Sequence, residues 1–365
     1  MMISLESIHR LVLTMRRSSV TRIAAAGLHA FVVVACLTQA VARADLTYFV
    51  SKTTGGLYSF ETSNAGAGIS TLAAAGTFTS PAALALGPDG NLYVGDSAGG
   101  GRVARYVMST GSVATVASLS GAGPVSPGAI AFRPGSQGSD MLVGRNPETV
   151  FYSYPTGPVL KVSGWGAGQT ATVQDYTTGA SLDYSPGLAV AADGTLYVSN
   201  SLYDVMTYAM TGNVMKFDSS GSYQAVVTAD GSGSGGLFGP SGLALVGTSL
   251  YVASTMNGYV YKTDLTNSNT ATNTAAFAYA GGDYIGPLAA LSDGSLLVGS
   301  VSGPAGLIYE FNSSGTMTGY FGASSYGQIG GIAVAPVPEP GAATLAMVAV
   351  AGLLVARHRQ WRRVG

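Results

Sequence analysis

Pro81 to Tyr106 reads PAALALGPDGNLYVGDSAGGGRVARY, and this stretch decides the fold. Leu84–Leu86 and Leu92–Gly95 are short apolar runs, and Asp89-Gly90 between them is typical of a hairpin turn because glycine accepts a positive φ. Val103–Tyr106 then alternates apolar with polar or aromatic residues at the period of a strand. The stretch therefore predicts consecutive antiparallel strands.

The same unit recurs along the chain. It returns at Leu188, Leu243 and Ala289, with a degenerate copy at Ile130. The central alanines of the units are spaced by 46, 58, 55, 46 and 43 residues, counted over Ala85, Ala131, Ala189, Ala244, Ala290 and Ala333. Spacing of this size is typical of the blades of a β-propeller.

Each unit also carries a third strand with its own alternating pattern. These strands are predicted at Val103–Tyr106, Val150–Tyr154, Val214–Phe217, Val260–Thr263 and Leu307–Phe311. Turns such as Asp218–Gly221 and Asn312–Gly315 follow the third strand and lead to a fourth. Four antiparallel strands per unit make a propeller blade.

The two ends of the repeat region complement each other. Leu46–Ser51 matches the second strand of the other units, and Leu57–Phe60 matches the third. The missing first strand is Ile332–Val334, so one blade is built from both ends and closes the ring without an exposed sheet edge. The prediction is an all-β, six-bladed propeller of four-stranded antiparallel blades over residues 45–336.

Ala-Leu-Ala-Leu, Gly-Pro-Asp-Gly-Asn-Leu-Tyr-Val-Gly-Asp and Gly-Arg-Val-Ala-Arg-Tyr within Pro81–Tyr106 resemble an NHL-type propeller repeat. The resemblance extends in weaker form from Asp45 to Pro336. It implies the propeller fold but no activity, because this fold serves enzymes, binding proteins and scaffolds.

Charge and residue usage exclude several functions for residues 45–336. The segment has 8 Lys and Arg against 16 Asp and Glu, a formal charge of −8, which argues against a nucleic-acid-binding surface. The histidines are His9, His29 and His358, and the only cysteine is Cys36, so all lie outside the segment. Ser-His-Asp, Cys-His and His-ligated metal chemistry are therefore excluded in their usual forms, and no catalytic residue is predicted.

Carboxylate chemistry stays open as an alternative. Propellers that resemble the gluconolactonase family hold Ca²⁺ or another divalent ion at the central channel with Glu, Asn and Asp. The candidates are Asp96 and Asn200, which follow second strands, with Glu148, Asp183 and Asp204 nearby in sequence. Their spacing does not single out a ligand set, so we expect no cofactor. The other interpretation is that Asp96 and Asn200 cap strand ends.

Aromatic residues offer a second kind of candidate site. The predicted loop Ser201–Gly212 carries Tyr203, Asp204 and Tyr208, and Trp165 stands between two glycines. Exposed aromatics beside acids and amides suit carbohydrate stacking. In contrast, the tyrosines of the repeated Leu-Tyr-Val strands are predicted to lie in the core between blades, namely Tyr93, Tyr197 and Tyr251.

The N-terminal residues 1–44 are typical of an export signal. Arg16, Arg17 and Arg22 precede an apolar run, and Ala42-Arg43-Ala44 forms an A-x-A site, which predicts cleavage by signal peptidase after Ala44. Met15 is a second candidate start. Two alternatives are a lipoprotein signal, with Cys36 lipidated, and a twin-arginine signal at Arg16-Arg17.

Residues 337–365 form a tripartite tail. Val337-Pro338-Glu339-Pro340 precedes sixteen uncharged residues from Gly341 to Ala356, and a basic cluster follows, made of Arg357, Arg359, Arg362 and Arg363. A helix of that length reaches about 24 Å, close to the ~30 Å hydrocarbon core. The arginines would hold the C-terminus in the cytoplasm, and the prolines keep the motif extended.

This tail resembles the PEP-CTERM sorting signal of exported Gram-negative proteins. The resemblance implies recognition by a membrane exosortase, anchoring in the inner membrane during transit, and a final place in the cell envelope or an exopolysaccharide matrix. We therefore expect an exported, non-enzymatic binding or structural propeller. The alternatives are a metal-dependent lactonase and a permanently membrane-anchored surface propeller.

Overall fold

The computed structural model describes residues 45–62, 68–119, 126–135, 140–146, 157–166, 169–204, 209–228, 237–266, 274–302 and 306–335. Within these ranges, twenty-four strands form six four-stranded antiparallel sheets, which confirms the predicted six-bladed propeller. Blade 1 contains strands from both ends of the chain. Blades 2 to 6 follow in sequence order.

The strands occupy equivalent places in the six blades. The first strands of blades 1 to 6 are β24 Ile329–Ala335, β4 Pro81–Leu86, β8 Ser126–Phe132, β12 Leu188–Val190, β16 Pro240–Val246 and β20 Ile285–Ala290. The second strands are β1 Leu46–Ser51, β5 Leu92–Asp96, β9 Met141–Asn146, β13 Leu196–Asp204, β17 Ser249–Ser254 and β21 Leu296–Ser300. The third strands are β2 Leu57–Glu61, β6 Arg102–Val107, β10 Leu160–Ser163, β14 Ala209–Phe217, β18 Tyr259–Asp264 and β22 Leu307–Phe311. The fourth strands are β3 Ser70–Ala73, β7 Ser112–Ser118, β11 Thr172–Asp175, β15 Tyr223–Thr228, β19 Thr274–Tyr279 and β23 Met317–Gly322.

Blade 1 is closed as the sequence predicts. β24 pairs antiparallel with β1 over six residue pairs, from Leu46 with Ala335 to Ser51 with Ile329. A further hydrogen bond joins this blade to blade 6, where the Ser292 N–H donates to the Asp45 carboxylate at 2.8 Å. By pairing with β1, β24 becomes the first strand of a complete blade. Each first strand also contacts the first strands of the two neighbouring blades around the ring.

The described core consists of six clusters of buried side chains, one at each junction between neighbouring blades. Second strands are sandwiched between two blades, so they bury both faces. Leu92, Tyr93 and Val94 are all fully buried although successive residues point to opposite sides. This explains the unbroken Leu-Tyr-Val runs. Tyr93, Tyr197 and Tyr251 lie in these clusters, as predicted.

Two predicted boundaries are wrong. The third strand of blade 3 is Leu160–Ser163, which pairs with β9 and β11; Val150–Tyr154, where we predicted it, lies outside the described residues. The predicted loop Ser201–Gly212 is largely strand. β13 and β14 pair along their length, from Leu196 opposite Phe217 to Asp204 opposite Ala209. This hairpin, which we call the blade 4 hairpin, extends beyond the equivalent pairs of the other blades.

Glycines allow the first strands to approach each other. A Cβ added to Gly187 would lie 1.9 Å from the Ser241 carbonyl oxygen of the next blade, a backbone atom that cannot turn away. We expect Gly187→Ala to destabilise the protein by about 3 kcal/mol, the upper part of the usual range for overpacking, as measured by urea unfolding. Gly319→Ala is the matched control, since a Cβ there meets no atom within 4 Å. Equal stability of the two variants would contradict the close approach.

Candidate functional site

A cavity of about 410 Å³ opens where the first strands begin and the second strands end. We call this side of the ring the upper face and the cavity the channel mouth. At least one residue at or just before the start of each first strand lines it, and small residues or proline predominate among Ala82, Gly128, Pro186, Ser241, Gly286 and Gly330. Deeper in the ring the channel narrows to a second cavity of about 120 Å³ between the first strands.

Polar side chains surround the channel mouth on blades 1, 4 and 5. They are Lys52, Tyr184, Ser201, Ser241, Thr255 and Gln328. Among the described residues that line the cavity, Lys52 is the only charged one, and its side chain is exposed. The Thr255 hydroxyl donates to the Ser241 hydroxyl at 3.0 Å. The channel mouth therefore offers hydroxyl and amide groups together with one positive charge.

Closure of the ring positions the blade 1 side of the mouth. The Lys52 N–H donates to the Gln328 carbonyl at 2.8 Å, and the Gln328 N–H donates to the Thr53 hydroxyl at 2.9 Å. Lys52 directly follows β1, and Gln328 directly precedes β24. The pairing that closes the propeller thus also brings these two residues together.

Asp96 lies at the end of β5 but does not face the cavity as a free ligand. Its side chain is 0% exposed. One carboxylate oxygen accepts the N–H groups of Thr79 at 3.0 Å and Ser80 at 2.9 Å. The other accepts Nε and Nη2 of Arg102 at 3.0 and 2.8 Å. Four donors occupy this carboxylate, so the structure favours the strand-end capping interpretation.

Asn200 has the equivalent role in blade 4. Its side chain is buried, and its amide oxygen accepts the N–H of Asp183 at 2.7 Å. In blade 5 the hydroxyl of Ser254 accepts the N–H of Phe238 at 2.8 Å. The donor precedes the acceptor by 16 or 17 residues in all three blades. Backbone N–H groups leave water as the chain enters each first strand, and these side chains satisfy them.

Of the other acidic candidates, the structure describes the side chain of Asp183 alone, and Asp183 contacts Asn200 through its backbone N–H. Asp183 is half-buried, and burial raises the pKa of its carboxyl. Glu148 lies outside the described residues, as does the side chain of Asp204. Asp89 forms a turn as predicted, and Asp193 and Asp293 form the equivalent turns, since each accepts the N–H two residues later.

The described residues of the channel mouth do not form a divalent-cation site. Ca²⁺ requires six to eight oxygens, several of them from carboxylates. Within the described ranges, no group of three or more His, Cys, Asp or Glu residues is placed to hold a metal ion. Asp96 already has its four donors, and Lys52 would repel a cation.

The predicted exposure of Trp165 is wrong. Trp165 is 3% exposed and lies in the cluster between blades 2 and 3. Its ring packs edge-on against Tyr93, with centroids 5.0 Å apart, and tilted against Phe132 at 5.3 Å. A ring enclosed in this way cannot stack on a ligand, so Trp165 is a core residue.

Tyr203 and Asp204 end the β13 strand of the blade 4 hairpin. They pair with Met210 and Ala209, while their side chains lie outside the described residues. The base of the hairpin borders the channel mouth, because Ser201 lines the cavity and its N–H donates to the Tyr184 carbonyl at 3.0 Å. The hairpin therefore rises from the upper face beside the mouth.

Sequence reasoning missed the residues that line the mouth. Lys52, Thr255 and Val301 each directly follow a second strand, one position after Ser51, Ser254 and Ser300. The repeat register could have identified these positions, because each of them directly follows the polar residue that ends a second strand. Their side-chain types vary, which hides the pattern.

The predicted targeting segments lie outside the described residues. This applies to Ala42, Ala44, Val337–Pro340 and the arginine cluster Arg357, Arg359, Arg362 and Arg363. In the part of the chain that the structure describes, no helix has the length and apolar character needed to cross a membrane.

The fold is similar to solved structures of low sequence identity. A chain of the nidogen–laminin complex matches 80% of this chain and 98% of its own length, with 13% identity and a TM-score of 0.60. A protein of unknown function from Bacteroides caccae covers 81% of this chain and 100% of its own, with 11% identity and a TM-score of 0.55. TolB from Acinetobacter baumannii covers 80% of this chain and 67% of its own, with 14% identity and a TM-score of 0.54.

No protein-family model matches the chain, and no curated protein matches it. At these identities the structural similarity shows the propeller fold alone.

Proposed function

We propose that this chain is an exported, non-enzymatic propeller that serves as a binding or structural module of the cell envelope or extracellular matrix. The channel mouth is the observation that carries the proposal. It offers hydroxyl groups, an amide and one lysine around a cavity large enough for a small ligand or for one unit of a polymer. These groups orient a ligand by hydrogen bonds.

The chemistry of the mouth supports binding in preference to catalysis. The hydroxyls of Ser241 and Thr255 hydrogen-bond each other and are without an adjacent general base among the described lining residues. A serine or threonine nucleophile requires such a base. The gluconolactonase-like alternative needs carboxylate ligands to a metal, which the described mouth residues do not supply.

Sorting through the tail completes the proposal. β24 ends at Ala335, so Val337-Pro338-Glu339-Pro340 begins two residues after the propeller. In this proposal signal peptidase acts after Ala44, immediately before Asp45, and an exosortase reads the Pro-Glu-Pro motif next to the folded domain. The protein then leaves the inner membrane for the envelope or an exopolysaccharide matrix.

Replacement of a motif proline tests sorting. In a Gram-negative host with an exosortase, the full chain is expected to reach the matrix fraction without Arg357–Arg363, whereas Pro338→Ala stays in the membrane fraction with its tail intact. The physical reason is that Pro338 keeps the motif extended before the membrane segment. Cell fractionation with mass spectrometry of both termini measures the result.

Pro336→Ala is the matched control, since it makes the same change two residues upstream of the motif residue. It is expected to be sorted like the unmodified chain. Equal tail retention in the unmodified chain and Pro338→Ala would instead indicate a permanently anchored surface propeller. Release of the tail without retention of the protein in the matrix would remove the matrix role while leaving sorting intact.

A further inference from the structure

Two exposed tyrosines and one half-buried tyrosine lie on the upper face at blades 5 and 6. Tyr279 is 47% exposed at the end of β19, and Tyr284 is 43% exposed just before β20. Tyr259, at the start of β18, stacks on Tyr279 with ring centroids 4.5 Å apart and 28° between the planes. We call Tyr259, Tyr279 and Tyr284 the tyrosine platform.

Hydrogen bonds hold the platform in place from two sides. The Ala280 N–H donates to the Gly258 carbonyl at 2.9 Å, which joins the Tyr279 end of the loop to the turn before Tyr259. The Tyr284 N–H donates to the Ser302 hydroxyl at 2.9 Å. Between them, the Tyr309 hydroxyl donates to the Asp283 carboxylate. An aromatic surface fixed before binding loses little conformational entropy when a ligand arrives.

The platform is continuous with the channel mouth. Val301 lines the mouth, and its N–H donates to the Tyr284 carbonyl at 2.8 Å. On the blade 5 side, Thr255 lines the mouth four residues before Tyr259. A chain-like ligand can therefore contact the rings and the polar groups of the mouth together.

The residue types of this rim favour a neutral sugar polymer. Within 255–259 and 279–284 the only charged side chain is that of Asp283, and it accepts a hydrogen bond from Tyr309. These rim residues offer an anionic polymer no cation and present a carboxylate to it, while the one lysine of the adjoining mouth, Lys52, lies on blade 1. A pyranose ring offers an apolar C–H face to an aromatic ring and hydroxyl groups at its edge, which suits tyrosines beside Asn257 and glycine backbone.

A protein partner is less well matched. The centre of a protein interface is a desolvated, contiguous apolar patch. Here the apolar and aromatic side chains are Met256, Tyr259, Tyr279 and Tyr284, and Asn257, Gly281, Gly282 and Asp283 separate them along the chain. The stacked pair Tyr259–Tyr279 is therefore separated in sequence from Tyr284 by polar residues and glycines.

We infer that the tyrosine platform binds neutral polysaccharide, with Tyr279 as the stacking surface, Tyr259 as its support and the channel mouth as the adjoining polar subsite. The inference rests on the proposed binding function and names its ligand class. It assigns the contact to blades 5 and 6, whereas the sequence prediction placed carbohydrate binding at Trp165 and the Tyr203 segment.

Affinity electrophoresis tests the inference with the full chain in detergent. The probes cast into the gel are hydroxyethyl cellulose and galactomannan, which are neutral, and alginate, which is anionic. We expect retardation by a neutral probe and none by alginate. Tyr279→Ala is expected to weaken binding at least about tenfold, and Tyr279→Phe to retain it because the ring is preserved.

Tyr320→Ala is the matched control, since Tyr320 is 61% exposed on the outer strand β23. It should bind like the unmodified chain, and thermal unfolding should show that both alanine variants remain folded. Binding of Tyr279→Ala as tight as that of the unmodified chain would overturn the platform. So would binding to alginate alone, or no binding to either neutral probe. The proposed function is judged separately, by matrix retention in the fractionation experiment.

Discussion

Ending the chain after Gly331 is expected to prevent folding of the propeller. The truncation removes most of β24, so Leu46–Phe49 of β1 lose their partners Ile332–Ala335. It also removes Ile332, which is buried between blades 6 and 1. Burial of one such side chain contributes about 1.5–3 kcal/mol, and four residue pairs are lost with it. At about 0.2–1 kcal/mol per cross-strand pair, the total of about 2–7 kcal/mol reaches the lower part of the stability of a whole domain, about 5–15 kcal/mol.

Both chains in this experiment start at Asp45 and lack the tail. The comparison chain ends at Pro336. We expect the longer chain to give a cooperative thermal transition by circular dichroism and to elute as a monomer. The shorter chain is expected to aggregate, because β1 becomes an exposed edge strand. A cooperative transition of the shorter chain at the same temperature would show that β24 is dispensable.

The same strand limits where the tail can be processed. Ala335 is the last residue of β24, and its partner Leu46 is the second residue after the predicted signal-peptidase site. Both predicted processing events therefore occur within a few residues of one pair of strands. Removal of either strand by a misplaced cut would open the ring at blade 1.

The architecture could be predicted because it depends on repeated local patterns. Hairpin turns and alternation recur in each unit, and the unpaired second strand at Leu46–Ser51 requires a first strand from elsewhere in the chain. The sequence predicts Ile332–Val334 as that strand, and the structure pairs it with β1. Closure is thus a consequence of counting strands, which needs no knowledge of distant contacts.

The third strand of blade 3 could not be placed from pattern alone. Val150–Tyr154 alternates at the period of a strand as well as Leu160–Ser163 does. Only pairing decides between them: Leu160 opposes Val143, and Val162 opposes Met141, in a fully enclosed cluster. Such tertiary contacts override local strand propensity.

The site residues were harder to predict for a related reason. Trp165 is flanked by glycines, which suggested an exposed loop, yet its ring fills the space between Tyr93 and Phe132. Tyr279 has no distinguishing sequence context among 20 tyrosines. Whether a tyrosine is core or surface depends on which blade covers it, and that is visible only after the blades are assembled.

Asp96→Ala is expected to destabilise the protein by about 3–5 kcal/mol. The change leaves two backbone N–H groups, of Thr79 and Ser80, without their acceptor and Arg102 without its partner. Arg102 is 27% exposed and can be partly hydrated, so most of the loss comes from the unsatisfied N–H groups, at about 1–3 kcal/mol each. Urea unfolding of the variant measures the loss, and Asp193→Ala, in an exposed turn, serves as the control.

A double variant separates the cost of leaving Arg102 without its partner from the cost of leaving the Thr79 and Ser80 N–H groups without an acceptor. Asp96 opposes Arg102 in blade 2, and Asn200 opposes Asn213 at the equivalent pair of blade 4. Asp96→Asn with Arg102→Asn therefore reproduces a pair that the same fold already accommodates. The asparagine oxygen can still accept the Thr79 or Ser80 N–H, and no unpartnered guanidinium remains. We expect the double variant to be more stable than Asp96→Asn alone. If Asp96→Asn is as stable as the unmodified chain, the carboxylate is not a structural cap. That result would instead support a role for Asp96 as a ligand at the upper face.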